Sequence, residues 1–266
     1  MDLRWHSYRY YPYEKDLALR EIQALLSPRS VAAASHGVRV EGHVDPDAAE
    51  RLVYFAQATK EGRAVELLQS RLERASGSGA SRQATRYSVH GLHEYKGKFN
   101  PQIARAILNI FQVSAGARVL DPFCGSGTSL VECSHVGISA VGLDINPLAV
   151  FLANAKLQAL RLPVAQLQEA LNAAVARFNA DTPWHGPAAD ERLVYLRDWF
   201  EPQILDELER LRAAISQGDS QCAPVLLSVA SNLLRDYSLQ DPNDLRIRRR
   251  KNPLPETAFS AAFEQA

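Results

Sequence analysis

Apolar residues change their spacing several times along this chain, and each change marks an element. Residues 16–26 (DLALREIQALL) repeat at Leu17, Leu19, Ile22, Leu25 and Leu26, which predicts a short amphipathic helix. Ser35 to Val44 reads as a hairpin or loop. Asp45-Pro46 then supplies a cap and a first helical proline for a helix through Leu52, Val53 and Ala56. Gly62 interrupts it before Val65, Leu68 and Leu72 resume the stripe. Phe99-Asn100-Pro101 is an extended lead-in, a cap and a first helical residue, with Ile103, Ile107, Leu108 and Phe111 as the apolar face.

The stretch from Ala117 to Asn154 has a different rhythm. Val119 and Leu120 end a buried apolar strand, and Asp121-Pro122 stops it. Gly125-Ser126-Gly127-Thr128 makes a turn whose backbone N–H groups can approach a ligand closely. A helix from Ser129 to Val136 follows, with Gly137 at its C-terminal cap. Ser139 to Leu143 is a second short strand, with Asp144 at its carboxyl end, and Asn146-Pro147 opens the next helix. Two parallel strands joined by a crossover helix form a nucleoside-binding unit, with the ligand at the strand carboxyl ends.

The glycine pattern narrows the ligand. A dinucleotide fingerprint needs a third glycine where Leu130 stands, and a P-loop needs a lysine after Gly127 that is absent. A glycine turn between two acids suits a ribose and a charged amino-acid tail without pyrophosphate. DPFCGSGT followed by GLDINPLA resembles the S-adenosylmethionine site of the amino-group DNA methyltransferases, which methylate adenine N6 or cytosine N4. An upstream segment, YSVHGLHEYKGKF, is similar to one that precedes the turn in that family, so the resemblance covers roughly residues 85–160. It implies Tyr95, Lys98 and Phe99 at the methionine end. It also implies Asp121, Pro122, Phe123 and the Gly125, Ser126, Gly127, Thr128 turn near the tail, and Asp144, beside Ile145, on the ribose hydroxyls.

Composition sets the remaining bounds. Thirty basic and thirty acidic residues cancel, so any nucleic-acid contact must use a local patch. The run LRIRRRKNPLPE, with Arg246, Arg248, Arg249, Arg250 and Lys251, is one such patch. Trp5, Tyr8, Tyr10, Tyr11 and Tyr13 interleave with Arg4 and Arg9; packing of these rings onto the domain is favoured over base stacking. Cys124, Cys133 and Cys222 have neither disulfide nor metal spacing, and Cys124 reads as a small residue packing under the ligand. His90 and His93 read as loop or supporting residues, so no metal is expected. No membrane span or signal peptide is expected, and the expected location is cytoplasmic.

The remainder departs from the family. Leu162 to Phe178, the segment after Pro202 and Pro224 to Arg235 are helical, and no convincing strand follows Asp144. The family's tetrad of Asp, Asn or Ser, then Pro-Pro, then an aromatic is missing; Asp181-Thr182-Pro183-Trp184 is its nearest imitation and Asn252-Pro253-Leu254-Pro255 a poorer one. No catalytic residue is therefore assigned. The expectation is an α/β fold: an incomplete Rossmann-like class I methyltransferase sheet with helical N-terminal and C-terminal extensions. The expected divisions are a helical appendage (1–75), a linker (76–86), a βαβ core (87–160) and a helical extension with a basic tail (161–266). The expected function is the cofactor-binding subunit of a split DNA amino-methyltransferase, of restriction-modification or phage-defence type. A second methyltransferase subunit would bring the tetrad and double-stranded DNA would bind through the complex. The alternatives are a non-catalytic S-adenosylmethionine-binding or interaction protein, and an RNA guanosine methyltransferase-like protein.

Overall fold

A computed structural model describes residues 1–75, 83–180, 190–242, 244 and 246–266. Most of the predicted linker (76–86) and the Asp181–Trp184 segment lie outside them. The described chain is mixed α/β, with sheet and many helices. It divides into two compact units, residues 1–91 with 95–157, and 92–94 with 158–266.

The first unit begins with β1 (Asp2–Trp5), α1 (Pro12–Leu26), β2 (Ser30–Ala34), β3 (Gly37–Glu41), α2 (Pro46–Glu50), β4 (Phe55–Lys60), β5 (Arg63–Val65) and α3 (Leu68–Ala75). Its five strands form an antiparallel sheet in the order β2-β3-β1-β4-β5. This corrects the expectation of a helical appendage. The cap at Asp45 is real, its carboxylate accepting from Asp47 N at 3.0 Å, but the helix stops at Glu50. Leu52 and Val53 then bury themselves as coil, and Gly62 (φ +78°) turns β4 into β5 instead of interrupting a helix. A stripe of apolar residues at three- and four-residue spacing had disguised two strands of three to six residues.

The aromatic segment packs inward, as favoured. Trp5 stacks on Phe55 at 4.3 Å, Tyr8 is buried, and the Tyr10 hydroxyl donates to the Tyr54 carbonyl at 2.5 Å. Tyr11 and Tyr13 stay exposed.

The unit continues through a 3-10 turn (Ser88–Gly91), α4 (Pro101–Ile110), β6 (Arg118–Asp121), α5 (Thr128–His135), β7 (Ser139–Gly142) and α6 (Pro147–Ala159). β6 and β7 pair in parallel, Leu120 opposite Val141, and among the described residues no third strand joins them. Val119 and Ala140 point to the side where Leu108, Cys133 and Ile138 make a small core. The opposite face is bare: Leu120, Val141 and Leu143 are 62%, 57% and 56% exposed. The buried-strand expectation therefore holds for one face only. α4 also departs from its predicted orientation. Ile107 and Phe111 face solvent, while Gln102, Arg105 and Asn109 are buried. Its polar side is consumed by α1 and α5: Asn109 Nδ2 donates to Glu21 at 2.7 Å and Arg105 Nε to Glu132 at 2.6 Å.

The second unit is helical: α7 (Val164–Ala180), α8 (Glu191–Arg197), α9 (Pro202–Ser216), α10 (Ala223–Tyr237) and α11 (Phe259–Gln265). α7, α9, α10 and α11 share a core that includes Phe178, Leu211, Ile215, Tyr237, Phe259 and Phe263. Part of the basic run is built into this unit. Arg250 donates to the Asp236 and Ser238 carbonyls at 2.7 and 3.1 Å, and Arg249 lies 5.5 Å from the Trp199 ring. No described helix is long and apolar enough to cross a membrane.

Candidate cofactor site

The site grows from the end of β6. Asp121 Oδ1 accepts from Phe123 N at 3.0 Å, and its other oxygen takes the Ser129 hydroxyl of α5. This carboxylate therefore fastens the start of the turn to the helix that leaves it. Gly125 and Gly127 adopt left-handed φ values of +51° and +82°. A Cβ on Gly127 would meet the Ala153 Cβ at 2.8 Å, so only glycine lets α6 pack this close. Gly127 also caps α5 without a side chain, leaving the backbone donors of its first turn for another acceptor.

From β7, Asp144 closes the loop. Its Oδ2 accepts from Gly125 N at 2.9 Å and its Oδ1 from Asn146 N at 2.8 Å. Asn146 in turn caps α6 through Leu148 N at 3.0 Å, as its position before Pro147 predicts. The upstream segment is set by Asn100, whose Oδ1 accepts from Gln102 N at 2.9 Å and starts α4. Lys98 just before it donates from Nζ to the Thr85 carbonyl at 2.6 Å. Burial, then the Arg86 charge, pushes the Lys98 ammonium down to about 8.

These elements enclose a cavity of about 400 Å³. Of the residues predicted for the cofactor, Tyr95, Lys98, Phe99, Asp121, Phe123, Gly125, Ser126 and Thr128 line it. Pro122, Gly127, Asp144 and Ile145 do not; Asp144 stands behind Gly125, and the Ile145 side chain is wholly exposed. Gly97, Cys124 and Ser129 join the lining. Cys124 is buried and its thiol is pushed up by burial, then by Asp121 and Asp144, so it is a packing residue at neutral pH and no nucleophile. S-Adenosylmethionine fits this lining: a volume within the usual range for small-ligand pockets, glycines where a backbone must come close, and an acid, Asp121, at the end of β6. A larger cavity of about 760 Å³ opens on the N-terminal sheet, but its Arg74 pairs with Glu66 at 2.8 Å and it contains no residue of the predicted site.

Beside the turn lies a cluster that the sequence reading missed. Glu132, fully buried on α5, receives the Tyr87 hydroxyl at 2.9 Å, His90 Nε2 at 2.6 Å and Arg105 Nε at 2.6 Å. Burial pushes the Glu132 carboxyl up, but the Arg105 guanidinium, with His135 and His90, outweighs it and holds it far below the carboxylate range. His90, Glu132 and His135 present ligand atoms within 4.8 Å of one another, a spacing that a metal could use. Arg105 already supplies the cation: its Nη2 donates to His135 Nδ1 at 2.9 Å as well. The arrangement locks the upstream segment onto α5. Glu132 and His135 sit three apart on one helical face, the signal that could have paired them with the flagged His90.

Known proteins resemble this same region. Residues 91–194 match the family described as UPF0020, RMKL-like, methyltransferase domain. A 70-residue stretch is 47% identical to the Type II methyltransferase M.MjaII of Methanocaldococcus jannaschii, covering 26% of this chain and 13% of that protein. The tRNA (guanine(10)-N2)-dimethyltransferase of Methanothermobacter thermautotrophicus is 46% identical over 52 residues, 20% of this chain and 16% of that protein. The Type II methyltransferase M.BsoBI of Geobacillus stearothermophilus is 36% identical over 62 residues, 23% of this chain and 12% of its own length. Each match thus spans less than a fifth of the relative concerned. The matched region is thus similar to methyltransferase domains, which in general use S-adenosylmethionine.

Proposed function

We propose that this chain is the cofactor-binding subunit of a split DNA amino-methyltransferase, and that a second chain completes both its sheet and its catalytic groove. The observation that carries this reading is the bare two-stranded sheet. Parallel strands are normally covered on both faces, yet Leu120 and Val141 face each other across the ladder in solvent. Ligands of such sheets sit where strand order reverses. With β7 on one side of β6, the missing strands therefore attach at the free edge of β6. Their carboxyl ends then stand beside Asp121, where the cavity opens.

S-Adenosylmethionine, when bound, supplies an electrophilic methyl group on sulfonium. This chain's contribution is to hold the molecule: Asp121 and the first turn of α5 at the tail, Tyr95 and Phe99 as walls, and Asp144 bracing Gly125 on the ribose side. The partner's contribution is to hold the exocyclic amine with its lone pair aimed at the methyl, and to stack the extruded base. Type II methyltransferases among the relatives favour DNA as the substrate. The tRNA dimethyltransferases among them favour a second reading, with guanosine in RNA as the target.

Calorimetry with S-adenosylmethionine and a methyl-transfer assay test the proposal. The purified chain binds the cofactor and transfers no methyl group. Addition of the partner co-purified from the native source gives methylated adenine or cytosine in DNA. Turnover by the chain alone overturns the split arrangement, and product in tRNA without product in DNA selects the second reading.

A further inference from the structure

Lys156 is out of place by ordinary packing rules. It lies on α6 among the buried Leu152, Ala153 and Ala155, and is itself 1% exposed. A buried ammonium is costly unless it is paired. Lys156 makes no ion pair among the described residues. Nζ donates to the Ser126 carbonyl at 3.1 Å and the Ser126 hydroxyl at 3.0 Å, and Ser126, 2% exposed, forms part of the cavity wall. Lys98, half-buried, lines the same cavity and donates to the carbonyls of Thr85 and His90.

We infer that Lys156 is a positioning residue for the cofactor, clamping Ser126 from beneath the glycine turn and supplying positive charge that favours a ligand with a carboxylate tail. The inference rests on reading the turn as the S-adenosylmethionine site. Burial, then the Lys98 charge, lowers the Lys156 ammonium to about 8, so both groups stay largely protonated at neutral pH while repelling each other. An arriving carboxylate relieves that repulsion. A lysine needed only to pin Ser126 gains nothing from the charge, so the two roles separate by ligand.

The test titrates the full chain with S-adenosylhomocysteine, which carries the amino-acid tail, and with 5′-deoxy-5′-methylthioadenosine, which keeps the nucleoside thioether without it. In Lys156→Met and Lys156→Gln, affinity for S-adenosylhomocysteine falls tenfold or more while that for methylthioadenosine stays within twofold. The glutamine variant keeps an N–H donor on a side chain one atom shorter and loses the charge. Equal losses for the two ligands, no loss for either, or failure of both variants to fold overturns the inference and leaves the cofactor reading intact. Absence of binding by the unsubstituted chain overturns both.

Discussion

Asp144 accepts the backbone N–H of Gly125 at 2.9 Å, tying the end of β7 to the glycine turn that follows β6. One carboxylate therefore shapes the turn and stands at the predicted ribose end of the site. Asp144→Ala weakens S-adenosylmethionine binding by about 1.5–3 kcal/mol, the range for a hydrogen bond to a charged group. That is roughly a 10- to 150-fold rise in Kd by titration.

Glu132 is the negative centre of a fully buried cluster, so removing its charge strands Arg105. Glu132→Gln costs about 3–5 kcal/mol in denaturant unfolding, as expected for breaking a buried ion pair. Because its carboxyl is held below the unfolded value of 4.5, its contribution is present above that pH and is lost as pH falls below it. Acid unfolding of the variant should accordingly show a shallower slope.

Glu21 behaves in the opposite sense. Burial raises its carboxyl to about 8 although Asn109 donates to it. The unfolded chain releases this proton near 4.5 and the folded chain keeps it to about 8, so stability declines as pH rises through that window. Glu21→Gln mimics the protonated form, keeps the Asn109 contact and gains about 1–3 kcal/mol at pH 8. Melting temperatures at pH 5 and pH 8 measure this.

Leu120→Asp places a charge on the bare sheet face. Substitution at so exposed a position changes the stability of the isolated chain by no more than about 0.5 kcal/mol. On the proposed split arrangement it abolishes assembly with the completing subunit, since burying an unpaired carboxylate is prohibitive. Size-exclusion chromatography of the mixed proteins reads the outcome.

Much of the site was legible because glycine, proline and asparagine act locally. Asn100 and Asn146 cap where their neighbours predict, and the turn from Gly125 to Gly127 takes the left-handed backbone that its glycines permit. The N-terminal sheet was not legible: β5 is three residues long and β1 four, too short for an alternating pattern to emerge. Orientation of α4 was misread for another reason. Its apolar residues define a face, but Arg105, Gln102 and Asn109 are buried by long-range partners on α5, α3 and α1, which no local spacing reveals. Lys156 escaped notice because nothing in its own stretch distinguishes a buried lysine from a solvated one.

The hydrogen bond from Asn109 to Glu21 has a practical corollary. α4 serves as the common wall between the antiparallel sheet module and the glycine-turn module, and the loop ahead of it carries Tyr95, Lys98 and Phe99. Anyone trimming the gene to a minimal nucleoside-binding fragment by starting after Ala75 would expose Asn109 and Ala106 to water and unseat that loop. The amino-terminal module is thus scaffolding for the pocket, and deletion series should begin within it only if an apolar-to-polar redesign of α4 is made at the same time.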